Sequence, residues 1–439
     1  MSAVQPVVAS AAEQAVIYRH RSTVAVVSLY LIVLSMILIS GLPYFNQINK
    51  LIFALCSLIV VVVAVSGSRP IRLALPFMLA TAWVIYAIVP SLLSQAPQVS
   101  LAKLFTVSLV LFMAVLCYNI LLWQGRYKGL LWVFYLSVLM TSLVGFTTLS
   151  DIQLGENRIG QQHGRHTGTT SNANSYGVLL VFGCYAGIYL YFLEHRRWLK
   201  WAALGGLLVL CLGIVSTASR TALLGLLLLL FCSSLAFGVW SLRRPGRLLG
   251  FIAALVTLIA VFTVALITNP VAQKRYQQFL DVAEQGDLSE RSAGSSLSGR
   301  ASLIGITFNL VGDYPLGIGM DNMRLYAGVY AHSNPLELLA TTGVPGIILY
   351  YAIYLSLLLG ILRLPTRWTD PVERRLLIVF VVLLVFIDFV NVSYYRKEVW
   401  LLIAVVAAIT ELKRREARFN IYQWQQQQLQ GKQSSQKRQ

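Results

Sequence analysis

The sequence predicts an all-α polytopic membrane protein with about 12 transmembrane helices. Hydrophobic residues fill 57% of the 439 positions, charged residues only 12%, and the mean hydropathy is +0.69. Soluble proteins carry about 25% charged residues, so this composition argues against a water-soluble enzyme. Twelve apolar runs are each near the ~20 residues that cross a bilayer as a helix. They span 24–42, 48–66, 71–89, 101–122, 129–149, 175–193, 199–216, 221–240, 248–268, 335–361, 375–393 and 398–412.

Individual runs carry further signals. The first follows the basic residues Arg19 and Arg21 and lacks a small-residue cleavage site, so it is interpreted as a retained helix. The tenth contains Gly343, Pro345 and Gly346, which predict a kink or a re-entrant start. All five cysteines lie in apolar runs without the spacing of metal ligands, so the sequence favours neither a disulfide nor a metal site there.

The positive charge predicts an orientation. The chain has 35 Lys and Arg residues against 17 Asp and Glu, a formal net charge of +18. With a cytoplasmic N-terminus, 23 of the basic residues fall in inner segments and 12 in outer ones, as the positive-inside rule requires. The charge is therefore interpreted as a topology signal and not as a nucleic-acid footprint. Both termini are predicted to be cytoplasmic, and membrane lipids are the expected surroundings.

Four regions follow from this topology. Residues 1–268 hold helices one to nine with short loops and an outer loop at 150–174. Residues 269–334 form the large outer loop, and 335–412 hold helices ten to twelve. The Gln-rich inner tail at 413–439 has little to bury and is predicted to be disordered.

The turn Ser216–Thr221 is the tightest outer turn between two predicted helices. Its hydroxyls, Ser219 among them, can cap the following helix. Arg220 would then stand beside a positive helix N-terminus, and together they favour an anion. The alternative is an interfacial arginine that snorkels at a helix end.

A second arginine lies in the large outer loop. Ser298, Gly299 and Arg300 open a run at 301–311 with one apolar helical face. This pattern predicts an amphipathic helix on the membrane or on the bundle, with Ser298 as its N-cap and Arg300 in its first turn. Arg300 is thus a second candidate anion ligand, or else an exposed arginine.

The segment 331–337 contains the predicted start of the tenth helix and a histidine. Asn334 as N-cap, Pro335 at the first helical position and Glu337 at the third predict the helix start. His332 lies just before it. We expect the helix field to lower the pKa of its imidazole, which would keep it neutral and able to act as a general base. A structural or solvated loop histidine is the alternative.

Weaker candidates for sugar or phosphate contact are Arg165, Asn172 and Asn174 in a Gly-, hydroxyl- and amide-rich outer stretch, together with Ser219 and Asn334. A plain polar loop is equally compatible with this stretch. Asp388 is the one acidic residue well inside a predicted span and is expected to pair with a buried donor. The outer segments show neither a cluster typical of a metal site nor a Gly-x-Ser-x-Gly elbow, so the predicted chemistry uses cations and one base, with no metal and no cofactor.

In combination these motifs resemble the bacterial O-antigen ligase family, whose members also include O-antigen polymerases and protein O-oligosaccharyltransferases. The matching pieces lie at 165–174, 216–222, 299–319 and 332–346. The sequence departs from many relatives at Ser333, which separates His332 from Asn334.

The resemblance implies a GT-C-like glycosyltransferase in the bacterial inner membrane with a periplasmic active site. Its donor would be O-antigen linked to undecaprenyl diphosphate, and its acceptor a sugar hydroxyl of lipid A-core oligosaccharide. It implies a metal-independent, inverting transfer in lipopolysaccharide biosynthesis. Arg220 and Arg300 would hold the diphosphate, and His332 would take the proton of the acceptor hydroxyl.

Three alternatives stay open. An O-antigen polymerase would use the same donor with a growing glycan as acceptor, and Arg165 and Arg300 could be its paired loop arginines. A protein O-oligosaccharyltransferase would differ in its acceptor. A lipid or solute transporter would place functional polar residues at mid-membrane, whereas the unusual polar residues here cluster on one face.

Overall fold

A computed structural model of the chain describes residues 23–38, 46–66, 70–146, 172–241 and 294–436, with short stretches between 153 and 170 and five single positions between 260 and 277. The described part is helical apart from four short strands. The helices are α1 (Thr23–Leu38), α2 (Asn46–Ser66), α3 (Leu75–Leu92), α4 (Pro97–Gln124), α5 (Tyr127–Phe146), α6 (Ala173–Leu193), α7 (Arg197–Ser216), α8 (Arg220–Ser241), α9 (Gly294–Asp313), α10 (Met323–Ala327), α11 (Asn334–Leu362), α12 (Pro371–Val390) and α13 (Lys397–Gln436).

Among the described residues, eight helices are long and apolar enough to cross a membrane, namely α2 to α8 and α11. Each coincides with one of the twelve predicted spans. The predicted span 24–42 corresponds to the shorter apolar helix α1. The spans 375–393 and 398–412 correspond to α12 and α13, whose apolar stretches are flanked by charged residues. The span 248–268 falls almost entirely outside the described residues. The chain is thus a polytopic helical membrane protein.

Two helices form the centre of the bundle. Residues 399–410 of α13 are all buried, and this helix packs along α4. Helix α6 is buried over nearly its whole length and packs against α5, α7 and α8. A helix that is apolar on every side can face either protein or lipid, so the central positions are set by packing and not by composition alone.

The predicted disorder of the tail is wrong for residues 413–436. Helix α13 continues without a break to Gln436. Glu411 pairs with Arg414 at 3.0 Å and with Arg415 at 3.2 Å, which are i,i+3 and i,i+4 contacts on one helix face. Gln is also a good helix former. These local terms sustain a helix that has little apolar surface to bury.

The predicted outer loop 150–174 contains short strands that the apolar pattern does not reveal. Strand β1 (Gln153–Leu154) pairs with β2 (Asn157–Arg158), and β3 (Gly160–Gln162) pairs with β4 (Arg165–Gly168), both antiparallel. Such hairpins of two to four residues are too short to show a strand period in sequence.

The predicted outer segments meet at one end of the bundle, which we call the His332 end. It comprises residues 90–100, 165–177, 217–222, 314–334 and 391–398. The backbone N–H of Ser393 donates to Asn334 Oδ1 at 3.0 Å, and Arg396 Nη2 donates to the carbonyl of Ser175 at 2.8 Å. Lys103, in the second turn of α4, pairs with Asp321 at 3.4 Å.

The predicted inner segments meet at the opposite end, which we call the basic end. Lys128 Nζ donates to the carbonyl of Leu193 at 2.8 Å, and Lys413 pairs with Glu373 at 3.1 Å. The separation of the two groups of loops matches the predicted alternation of helices. Which end faces the periplasm stays a prediction.

The predicted interruption of the tenth span is confirmed in α11. Gly343 leaves helical geometry at φ 64° and ψ −172°. Pro345 has no N–H, so the carbonyl of Thr341 loses its helical donor. The N–H groups of Ile318 and Gly319 replace the missing donors, at 2.9 Å to the carbonyl of Ala340 and 3.0 Å to that of Thr341. The segment 315–319 is therefore docked into the break.

Candidate active site

His332 lies in a strained connection immediately before α11. Its φ of 56° is in the left-handed region, which is uncommon for a residue with a side chain. The imidazole is half-buried and packs on the Tyr330 ring, with centroids 4.1 Å apart. The Arg324 guanidinium lies 5.5 Å from the centroid of the same Tyr330 ring. The backbone thus presents this histidine at the start of a candidate span, beside an aromatic and a cationic residue.

The predicted N-cap at Asn334 is wrong. Ser333 holds the cap position, with extended dihedrals and no side-chain capping bond, and Asn334 is already helical. The amide of Asn334 turns into the bundle, where its Oδ1 accepts the N–H groups of Ser393 at 3.0 Å and Tyr394 at 3.1 Å. Buried N–H groups need an acceptor, and that need decides the orientation of the amide. Its predicted contact with substrate stays a prediction.

Asp388 pairs with buried donors, as predicted. Asn334 Nδ2 donates to Asp388 Oδ2 at 3.0 Å and the Tyr351 hydroxyl to the same oxygen at 3.2 Å. The hydroxyls of Tyr354, at 3.3 Å, and Ser393 donate to Oδ1. This network joins α11 to α12 and holds Asn334, two residues from His332.

Arg220 begins α8, at the turn where it was predicted. The turn reverses through Ala218, whose φ is 47°. The N–H of Ala222 lies 3.4 Å from Ser219 Oγ, so the predicted capping role of this hydroxyl is confirmed. Arg220 is half-buried. The turn packs on α6, since a Cβ built at Gly177 would lie 2.6 Å from Ala222 Cβ.

The predicted helix start at Ser298 is wrong. Helix α9 begins at Gly294, so Ser298 and Arg300 lie in its interior and Arg300 is not in the first turn. Leu297 extends the apolar spacing toward Ala301 by one turn, which favours the longer helix. The Arg300 side chain lies outside the described part of the structure, and its role as an anion ligand stays a prediction.

The predicted amphipathic character of α9 is visible further along the helix. Leu303 and Thr307 are buried, whereas Ile304 and Phe308 on the adjoining stripe are exposed. The helix packs against α11. One stripe of α9 thus packs on the bundle, and the adjoining apolar stripe is exposed on its surface.

The weaker candidates gather at the start of α6. Asn172 is the N-cap of this helix, and its Oδ1 accepts the N–H groups of Asn174 at 2.8 Å and Ser175 at 3.3 Å. Asn174 is exposed. The backbone of Arg165 belongs to β4, and its side chain is not described. A capping function for Asn172 explains the amide there without a ligand.

Sequence reasoning missed the segment 391–398, which connects the two groups of candidates. Ser393 and Tyr394 bind Asn334 beside His332, and Arg396 binds Ser175 beside the turn of Arg220. The structure therefore brings the His332 loop and the Arg220 turn to one end through a shared neighbour. The available signal was a run of charges, Arg396 to Glu398, between two apolar spans.

A second missed contact ties α4 to this end. Lys103 Nζ lies 3.4 Å from Asp321 Oδ2 and 3.9 Å from the centroid of the Tyr395 ring. The lysine thus joins the segments 314–334 and 391–398. Its signal in sequence was weak, because it is a single charge inside an apolar run.

Comparison with known proteins locates a family domain across this site. No curated protein sequence matches the chain. Residues 205–351, however, match the family described as O-Antigen ligase. The matched stretch contains the Arg220 turn, Arg300, the docked segment 315–319, His332 and the break at Gly343. Within the described residues, no three His, Cys, Asp or Glu side chains come together as a metal site would need. Over residues 205–351 the chain is thus similar to the O-antigen ligase family.

Proposed function

We propose that the protein is an O-antigen ligase. It transfers O-antigen polysaccharide from undecaprenyl diphosphate to a sugar hydroxyl of lipid A-core, at the periplasmic face of the bacterial inner membrane. The supporting observation is the convergence of the Arg220 turn and the His332 loop at one end of the bundle, within a stretch that matches the family. The bundle would have a GT-C-like architecture, with both termini cytoplasmic.

The proposed reaction assigns a role to each candidate. The acceptor oxygen attacks the anomeric carbon, the bond from that carbon to the diphosphate oxygen breaks, and the electron pair leaves with the diphosphate. His332 takes the proton of the attacking hydroxyl. Arg220 and Arg300 stabilise the negative charge that grows on the leaving diphosphate. Attack opposite the leaving group inverts the anomeric configuration and requires no metal.

A transporter is less well supported. That alternative predicts a broken helix and a polar residue at mid-membrane, whereas the break in α11 and Asp388 in α12 both contact segments of the His332 end. The break is filled by the N–H groups of Ile318 and Gly319, and Asp388 accepts four side-chain donors. The hydrogen-bonding groups of both features are thus already occupied by other residues of the protein.

The direct test is a lipopolysaccharide gel of a strain that lacks the protein. Loss of all long O-antigen, with accumulation of lipid-linked polymer, supports the ligase. A single repeat unit on the core would indicate a polymerase instead, and an unchanged lipopolysaccharide pattern with altered pilin glycosylation would indicate a protein transferase.

Purified variants test the assigned roles. We expect His332→Ala, Arg220→Ala and Arg300→Ala to fold and to lose transfer by about 100-fold or more, because each removes a proton acceptor or a charge-stabilising donor. His195→Ala and Arg363→Ala change exposed residues of the basic end and are matched controls. Full activity in any of the first three variants removes that residue from the mechanism.

A further inference from the structure

Arg396 is a buried arginine with one donor group left over. Its side chain is 8% exposed and its Nη1 finds no hydrogen-bond partner among the described residues. The other nitrogens are used. Nε and Nη2 lie 2.6 Å from Glu398 Oε1, and Nη2 also donates to the carbonyl of Ser175 at 2.8 Å. A buried donor without an acceptor is unfavourable by about 1–3 kcal/mol and indicates an acceptor from elsewhere.

The position of this donor is informative. Ser175 is in the first turn of α6, where Asn172 caps the helix. Gly177, two residues further, contacts the Arg220 turn at Thr217 and Ser219. Two residues correspond to about 3 Å along a helix. The guanidinium of Arg396 and the turn that carries Arg220 therefore flank the same helix end.

We propose that Arg396 is a further binding residue for the diphosphate of the lipid-linked donor, with Nη1 donating to a phosphate oxygen. This inference rests on the proposed function. An arginine suits the role because its fork can hold Glu398 and the Ser175 carbonyl on one side and present a second edge to an anion. Burial strengthens such a charge-assisted bond.

The ion pair with Glu398 permits a test in which binding and scaffolding predict different results. Arg396→Gln with Glu398→Gln removes both charges and leaves neither buried and unpaired, so the double variant retains the fold. Glu398→Gln alone breaks the same pair but keeps the cation. If Arg396 binds the anion, the double variant weakens binding and Glu398→Gln does not. If Arg396 only holds α13 against α6 through its bond to the Ser175 carbonyl, the double variant also lowers the unfolding midpoint, which is measured beside Kd.

The measurement is the affinity of the purified full chain in detergent micelles for undecaprenyl diphosphate, with undecaprenyl monophosphate alongside. We expect the double variant to raise the diphosphate Kd by about 10- to 100-fold, the loss of a hydrogen bond to a charged group. We expect Glu398→Gln to leave Kd unchanged or to lower it. Arg375→Gln is the matched control, since its Nη1 donates to the carbonyl of Ala236 at 3.1 Å at the basic end.

Each outcome decides the question. A wild-type Kd in the double variant overturns the role of Arg396 and leaves the proposed function standing. Equal weakening by the double variant and by Glu398→Gln also overturns it, and so does weakening that comes with a lower unfolding midpoint, because a structural role explains either result. Equal loss of monophosphate and diphosphate binding supports Arg396 as a ligand of the phosphate nearest the lipid. If the wild-type protein binds neither lipid, the proposed function fails and this inference fails with it.

Discussion

Replacing Gly343 by alanine should destabilise the whole His332 end. The backbone at this position has φ 64° and ψ −172°, a region that essentially only glycine occupies. A residue with a side chain is strained there by about 1–3 kcal/mol. A Cβ would also lie 2.2 Å from the carbonyl oxygen of Pro315 and 2.9 Å from the carbonyl carbon of Leu316.

The second contribution comes from displacement of backbone. Both atoms belong to the segment 315–319, which is held in the α11 break by hydrogen bonds and cannot rotate away as a side chain would. Overpacking of this kind is unfavourable by about 1–3 kcal/mol. Since the two effects have separate origins, we expect Gly343→Ala to lower the free energy of unfolding by about 2–6 kcal/mol.

The assay is thermal unfolding of purified protein in detergent, followed by intrinsic tryptophan fluorescence. Gly205→Ala is the control, because Gly205 is inside α7 and a Cβ there meets nothing within 4 Å. That substitution should be neutral or stabilising by up to about 1 kcal/mol. Equal unfolding midpoints for the two variants would refute the strain argument. Transfer activity of Gly343→Ala should fall as well, because the displaced segment precedes the His332 loop.

Three smaller effects follow from other contacts. Asn334→Ala should lower the unfolding midpoint in detergent well below that of Ser333→Ala, because two buried N–H groups lose their acceptor at about 1–3 kcal/mol each; equal midpoints would contradict this role. A double-mutant cycle of Lys103→Met and Asp321→Asn should give a coupling of about 1 kcal/mol or less that shrinks in high salt, since the pair is partly exposed; a salt-independent coupling would point to a buried pair. Glu411→Gln should reduce helix content measured by circular dichroism only slightly, because each lost pair contributes about 0.3–0.5 kcal/mol; a large loss of helix would mean that α13 depends on this residue.

The helices were predictable because the bilayer imposes both their length and their composition. The break in α11 was predictable for a similar reason, since Gly343 and Pro345 act on their own backbone. The start of α11 was correct to within one residue, but the side chain of Asn334 was misassigned. Local capping rules consider only neighbouring residues. Asp388 and Ser393 lie more than 50 residues away in sequence, and their hydrogen bonds with the Asn334 amide replace a capping bond.

The candidate site was predictable only in part. Arg220 and His332 are marked by their positions at helix starts, which are local signals. Arg396 is not, because its importance depends on Ser175, 221 residues away. Glu411 and its partners show an error of the opposite kind. Their short-range pairs stabilise a helix in the tail that the Gln-rich composition predicted to be disordered. Polar pairs were therefore missed both at long range and at short range in sequence. The apolar pattern, in contrast, predicted the described helices reliably.

The central position of α13 has a consequence for biogenesis. Ribosomes deliver the helices in order, so α4 enters the membrane long before the helix that packs along it. Until residues 399–410 arrive, the earlier spans must stay loosely associated or in contact with insertion factors, with the faces that α13 later covers turned toward lipid. Closure of the bundle and assembly of the His332 end then happen together, because the segment 391–398 that joins its two halves is made just before α13. We expect nascent chains arrested before residue 391 to remain sensitive to membrane proteases and chains released after residue 412 to become resistant.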